Sequence, residues 1–100
     1  MTPQLIDFET TRIAHHEGAQ FRAVGEEIFL VHPDGEQIHN LNPMAAALWR
    51  LLEHPATGRE MAEIVQAAFP IMAPAKVEED VRRVVTELLA GGFVEVKKGG

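Results

Sequence analysis

The first half of the chain has the hydrophobic pattern of short strands separated by turns. Residues 21–24 and 27–32 are rich in β-branched and aromatic side chains, and the Gly-Glu pair at 25–26 joins them as a hairpin. The Pro-Asp-Gly sequence at 33–35 predicts a second turn, and 36–41 a third strand. If strand order follows chain order, this third strand is the edge of an antiparallel sheet and leaves a row of backbone N–H and C=O groups unpaired.

Two helices are predicted directly after this sheet. Asn42 can cap a helix that begins at Pro43, because proline at the first helical position loses no hydrogen bond, and the His-Pro pair at 54–55 ends it. Thr57 and Glu60 have the spacing of a capping box, which predicts the start of a second helix.

A third helix is predicted between the proline at position 74 and the Gly-Gly pair at 91–92. It carries an unusually broad apolar stripe at helical spacing: Val77, Val81, Val84, Val85, Leu88 and Leu89. Acidic residues 78–80 lie in its first turns, where the helix dipole favours negative charge. The apolar residues at 93–96 either add a short strand or pack on the core.

The fold class that these elements predict is α+β, a three-stranded antiparallel sheet followed by a three-helix bundle in a winged helix-turn-helix-like arrangement. One hundred residues fit one domain. We expect it to span 21–96, since residues 1–20 show no clear pattern and are left as an N-terminal segment of uncertain order. Residues 97–100 are expected to form a frayed tail.

Composition and charge narrow the classes of partner. The chain is 46% hydrophobic and 24% charged, which is the balance of a globular protein. With no cysteine, no export segment and no apolar run near the ~20 residues that cross a bilayer, we expect a cytoplasmic protein that is not embedded in a membrane. Nine Lys and Arg against fifteen Asp and Glu give a net charge of -6, so nucleic acid is not an expected partner.

The residues that usually carry chemistry form no recognisable site. His15 and His16 are adjacent, so on a strand they would point to opposite faces, and no histidine pair has the helical spacing of metal ligands. The chain has no serine, cysteine or tyrosine, which removes most classes of nucleophile. Its glycines are explained by turns and caps, not by a phosphate-binding loop. We therefore expect no enzyme activity, no metal and no cofactor.

The order of these motifs resembles the PqqD-like family over about residues 21–94. The resemblance is carried by EIFLVHPDGEQIHNLNP at 27–43, and above all by its closing Leu-Asn-Pro step. AAALWRLLE at 45–53, VEEDV at 77–81 and LLAGGFV at 88–94 follow in the family's order and spacing. The first twenty residues have no clear counterpart, and the third helix is charged and contains arginine, unlike that of the founding proteins, so quinone biosynthesis itself is not implied.

The resemblance implies a peptide-recognition module rather than a catalyst. Members of the family have a three-stranded antiparallel sheet packed on three helices, and they bind the leader part of a precursor peptide for a radical S-adenosylmethionine enzyme or another modifying enzyme. The leader adds a strand to the sheet edge beside the third helix. Carried over to this chain, the peptide-binding residues are Gln37, Ile38, His39, Asn40, Leu41, Asp80, Arg83, Val84 and Glu87.

Three alternatives stay open at the level of the sequence. Either Val81, Val85 and Leu88 face the core and the side near Val84 is left for the ligand, or all the valines of the third helix are core. A winged-helix regulator that binds DNA or a regulatory protein through the third helix is the alternative function, and a degenerate scaffold is a weaker one. The edge strand could also accept a second copy, giving a homodimer, or the N-terminal segment of its own chain.

Overall fold

The computed structural model describes residues 7–31 and 38–97, which form two small antiparallel sheets and three helices. Along the chain the elements are β1 (Arg12–His15), β2 (Gln20–Val24), β3 (Glu27–Val31), β4 (Ile38–Leu41), α1 (Pro43–Leu51), β5 (Ala56–Thr57), α2 (Gly58–Ala68), α3 (Pro74–Ala90) and β6 (Val94–Lys97). The α+β class is therefore confirmed. Among the described residues, no helix is long and apolar enough to span a membrane.

One sheet is the predicted meander, with strand order β2-β3-β4. Gly25 turns between β2 and β3 with φ 63°, a conformation that glycine adopts without strain. In the β3–β4 pairing, Ile28 lies opposite Leu41 and Leu30 opposite His39. Ile28, Leu30 and Leu41 are buried, so this face of the sheet packs on the helices. The predicted turn at 33–35 lies outside the described residues.

The second sheet, with strand order β5-β1-β6, was not predicted. Its central strand β1 lies in the segment that the sequence left without an element, and its end strand β6 includes Lys97, which was expected in the tail. β1 has no alternating pattern, because Ile13 and Ala14 are consecutive and both buried. Its strand partners are also remote in sequence, since Arg12 pairs with Thr57 and with Lys97.

The helices begin as the sequence predicts, and the first free N–H groups of α1 and α2 are satisfied by side-chain caps. Asn42 Oδ1 accepts a hydrogen bond from the N–H of Ala45 at 2.8 Å. Thr57 and Glu60 form the predicted capping box, in which each side chain accepts from the other residue's N–H, at 3.1 and 2.9 Å. α3 begins at Pro74 without a side-chain cap.

The core is centred on α3. The helix packs mainly against α2, and also against α1 and β6. Its buried residues repeat every three or four positions: Val77, Val81, Val84, Val85 and Leu88. From α1, Leu48 and Trp49 fill the space beneath the meander sheet. α3 thereby lies beside β4, and its position is fixed by the same contacts that form the core.

The N-terminal segment is held against α2 and the far flank of α3. The Phe8 ring is buried, and the Arg82 guanidinium carbon lies 4.1 Å from its centroid. The N–H of Arg59 donates to the Phe8 carbonyl at 2.9 Å, and the Arg59 side chain binds Glu9 at 2.8 Å. Gly58 makes room for this contact, because a Cβ there would lie 2.5 Å from Phe8 Cδ1.

Gly58→Ala should destabilise the domain by about 1–3 kcal/mol, although alanine is the better helix former, because its methyl group overlaps the Phe8 ring. Gly18→Ala is the matched control, since the nearest atom to its Cβ lies at 3.5 Å, an ordinary contact. Urea unfolding of the two variants measures the difference. An increase in the free energy of unfolding for Gly58→Ala would show that Phe8 does not occupy this position.

Candidate functional site

β4 is an edge strand of the meander sheet within the part of the chain that the structure describes. It pairs with β3 on one side, and no described residue makes a strand pairing on the other. Ile38, His39 and Asn40 are exposed, with Ile38 at 67%, while Leu41 is anchored in the core. The edge predicted from the sequence is therefore present, with its backbone groups available to another strand.

A narrow cleft of about 30 Å³ runs beside this edge, between β4, α1 and α3. Its walls are mostly apolar, with one imidazole and one carboxylate: His39, Leu41, Ala45, Val84, Glu87, Leu88 and Phe93. The His39 and Phe93 ring centroids lie 6.1 Å apart. The cleft is small compared with the ~300–1,000 Å³ of a typical small-molecule pocket.

Phe93 reaches the cleft because the two residues before it are glycines. Gly92 has φ 76°, a conformation in which other residues are strained. A Cβ at Gly91 would lie 2.6 Å from Phe93 Cε2, so only glycine leaves room for the ring there. The Gly-Gly pair that ends α3 thus also places an aromatic wall of the cleft.

Asp80 is a buried carboxylate on the flank of α3 that faces away from Phe8, and it is paired with two cations whose side chains are about half exposed. Asp80 is only 8% exposed, and its Oδ1 binds Lys76 Nζ at 3.2 Å and Arg83 Nη1 at 3.0 Å. The hydrogen bond from Lys76, followed by that from Arg83, holds the Asp80 pKa below its ordinary value. The same pairing raises the pKa of Lys76.

Four of the predicted site residues come together at the cleft: His39, Leu41, Val84 and Glu87. Asp80 and Arg83 bind each other on α3 but do not line the cleft. Because side chains alternate along a strand, Ile38 and Asn40 point to the opposite face of the sheet, where Asn40 Nδ2 donates to Glu27 Oε1 at 3.1 Å. Gln37 lies outside the described residues.

Val84 is 2% exposed, so it belongs to the core, as one of the two interpretations of the α3 stripe expects. It is covered because α1 and Phe93 close over the part of the stripe that faces β4. Its contact with a ligand stays a prediction. Val84 forms the floor of a narrow cleft rather than an open helix surface.

The sequence did not predict that Ala45 and Phe93 belong to the site. Ala45 was noted only as the start of the AAALWRLLE sequence, but its small side chain keeps α1 from filling the cleft. The signal that could have identified Phe93 is the Gly-Gly pair before it, since two consecutive glycines exceed what a helix end requires.

The histidines of the described residues are not arranged as metal ligands. Within 7–31 and 38–97, no group of three His, Asp or Glu side chains could hold a metal ion. His15 has a structural contact instead, because its Nε2 donates to the Trp49 carbonyl at 2.6 Å while its ring stacks on the indole, with centroids 3.7 Å apart. This contact fixes β1 to α1.

Comparison with solved structures shows that the fold of this chain has a known counterpart. The chain is similar to the structure titled "TbiB1 in Complex with the TbiA(beta) Leader Peptide", with a TM-score of 0.74 and 19% sequence identity over 86% of this chain and 99% of that one. The sequence model of the family described as coenzyme PQQ synthesis protein D (PqqD) matches residues 27–94. This chain belongs to the PqqD family, which confirms the resemblance seen in the sequence. No curated protein sequence matches it.

Asp80→Asn should lose stability relative to the wild type in a pH-dependent way. Because the folded pKa of Asp80 lies below its unfolded value of about 3.8, its contribution to stability is complete above that pH and is lost as the pH falls through the folded pKa. The difference in unfolding free energy between the two proteins, measured in urea, should therefore be larger at pH 7 than at pH 3.

Glu79→Gln is the control for this pH series, since Glu79 shares the partner Lys76 but its side chain is 72% exposed. Its effect should be small at both pH values. An Asp80→Asn difference that is equal at pH 7 and pH 3 would contradict the assignment of the ion pairs to Asp80.

Proposed function

We propose that this domain binds an extended segment of a precursor peptide at the β4 edge and presents it to a separate modifying enzyme. The observation that carries the proposal is an edge strand that lies beside an apolar cleft and has no second strand partner among the described residues. Membership of the PqqD family and the leader peptide in the TbiB1 complex support it.

Strand addition explains how such a site recognises a peptide without catalytic groups. The backbone of the guest pairs with the N–H and C=O groups of β4, while every second side chain of the guest turns toward α3. The cleft floored by Val84 and Leu88 receives one of these side chains. His39 and Glu87 line the same cleft and lie at exposed positions, where they can contact the polar neighbours of that side chain.

The chemistry is assigned to the partner enzyme, of which a radical S-adenosylmethionine protein is one class. In this proposal the domain has no catalytic role and needs no cofactor, because its function is to hold the peptide. The side chains that line the cleft are consistent with holding a peptide, because apart from the Glu87 carboxylate and the His39 imidazole they are aliphatic or aromatic.

The alternative hypothesis is a winged helix-turn-helix that binds DNA along α3. The charges of that helix support it less well than they support peptide binding. Lys76 and Arg83 bind Asp80, and Arg82 binds Glu78 at 3.2 Å. Each of these cations is therefore already paired with a carboxylate, whereas DNA binding requires cations that neutralise phosphates. A peptide that uses backbone hydrogen bonds has no such requirement, so strand addition is the function that the site supports best.

Titration of the isotope-labelled domain with the precursor peptide encoded beside its gene tests the proposal. Amide shifts should concentrate on residues 38–41 and 80–88, and binding should change little with salt because the contacts are mainly backbone hydrogen bonds and apolar packing. Shifts confined to β2 or to the second sheet would exclude the β4 edge. Strong, salt-dependent retention on duplex DNA would favour the regulator instead.

Ala45→Val should weaken peptide binding by about tenfold or more, because two added methyl groups fill the cleft that receives the guest side chain. Ala47→Val is the matched control, since it makes the same change on the same helix at an exposed position. Calorimetric titration gives the two affinities, and the amide spectra show that both variants are folded. Equal affinities would mean that the cleft is not the guest site.

A further inference from the structure

Glu87 is a carboxylate of the cleft that has no partner among the residues that the structure describes. It lines the cleft with His39 and lies at an exposed position, yet its side chain makes no hydrogen bond or ion pair with any described residue, His39 included. The other carboxylates of α3 all bind cations: Glu78, Glu79 and Asp80. The one unpaired acid of this helix is therefore the one at the cleft.

The cation nearest to Glu87 along α3 binds another carboxylate. Arg83 lies four residues before Glu87, a spacing at which side chains on a helix are neighbours. Its Nη1 instead binds Asp80 Oδ1 at 3.0 Å. Because Asp80 is buried, removal of one of its cations would be costly. Arg83 is thus committed to Asp80, and the charge of Glu87 is left without a counter-charge.

The position of Glu87 in α3 is unfavourable for a carboxylate. The helix ends at Ala90, so Glu87 lies in its last turn, and no basic residue lies there. The C-terminal end of a helix has a partial negative charge, which repels an acid and attracts a cation. Folding therefore gives no reason for an acid at this position. Residues that break a local rule in this way are expected at functional sites.

A guest strand on β4 brings one of its side chains within reach of this carboxylate. Side chains on the same face of a strand are two residues, or about 6.5 Å, apart. Val84 and Glu87 are separated by about 4.5 Å along the α3 axis, since they are three residues apart. The guest residue two positions from the one above Val84 therefore faces the turn that carries Glu87. A long side chain such as lysine or arginine can span the gap between strand and helix.

We propose that Glu87 selects guest peptides that have a lysine or arginine two positions before or after the residue that enters the cleft. The two positions correspond to the two directions in which a guest strand can pair with β4. This inference rests on the proposed function, because it requires the guest at that edge. The net charge of -6 also attracts a basic peptide. A single ion pair adds only a slight salt dependence, unlike the many phosphate contacts of DNA.

Double-mutant cycles between the full chain and the precursor peptide encoded beside its gene test the inference. Each lysine and arginine of the peptide is replaced in turn by glutamine, and calorimetry gives the affinity of each peptide for the wild type and for Glu87→Gln. One replacement should lower the affinity of the wild type by about three- to tenfold and leave that of Glu87→Gln unchanged. Glu87→Lys should prefer the peptide that has glutamate at the same position.

Glu79→Gln is the matched control, since it removes the same charge from the same helix at a side chain that is 72% exposed and does not line the cleft. It should respond to the peptide replacements as the wild type does. Urea unfolding supplies a second measurement. Glu87→Gln should be at least as stable as the wild type, because the carboxylate has no partner in the described part of the chain and opposes the helix dipole.

Equal affinity of the wild type for all the replaced peptides overturns the inference, as does an equal effect of the replacement on the wild type and on Glu87→Gln. A Glu87→Gln domain that is less stable than the wild type also overturns it, since the carboxylate would then serve the fold. In these cases the proposed function stands if the amide shifts lie on residues 38–41 and 80–88. A wild type that does not bind the peptide refutes the proposed function, and the inference fails with it.

Discussion

The packing of α3 against α2, α1 and β6 is the constraint on which the rest of the structure depends. Val81, Val84 and Leu88 are almost fully buried, and full burial of each such side chain stabilises the fold by about 1.5–3 kcal/mol. α3 therefore cannot move away from β4 without opening the core. The distance between the helix and the sheet edge is fixed by folding, and a bound peptide must fit the space that remains.

This constraint determines how the binding free energy is divided between backbone and side chains. Only alternate residues of a strand direct their hydrogen bonds to the same side, so the four residues of β4 offer a guest only a few main-chain bonds. Each of these hydrogen bonds contributes about 0.5–1.5 kcal/mol net to the binding free energy, whereas the lost translational and rotational freedom of association costs at least ~4 kcal/mol. Backbone pairing alone is too weak, and the cleft must supply the remainder. Selectivity then comes from the guest side chain that enters it.

Those parts of the fold whose cause is local were predictable from the sequence, and those whose cause is remote were not. The hairpin at Gly25 and the caps at Asn42 and Thr57 follow from residues within four positions of each other, and the structure has them. β1 was missed because its partners lie in the second half of the chain.

The candidate site shows the same division between local and remote causes. Its edge strand follows from the meander, but which valines stay open depends on how α1 and Phe93 close over α3. Asp80 was interpreted as an acid in the first turns of a helix and, by resemblance, as a peptide-binding residue, but that pattern did not show that Lys76 and Arg83 bind it. A pattern of residue types along one helix does not show what the neighbouring elements bury.

The β4 edge has three potential occupants, and the described residues bear on each of them differently. Residues 7–15 of the chain itself are fixed elsewhere, because Phe8 lies under Arg82 and β1 lies between β5 and β6. A second copy could pair its own β4, but its Leu41 is buried in its own core and cannot enter the cleft. That pairing would satisfy backbone groups alone. A peptide satisfies the same groups and also fills the cleft, so the combination of edge and cleft favours a foreign chain over the domain's own.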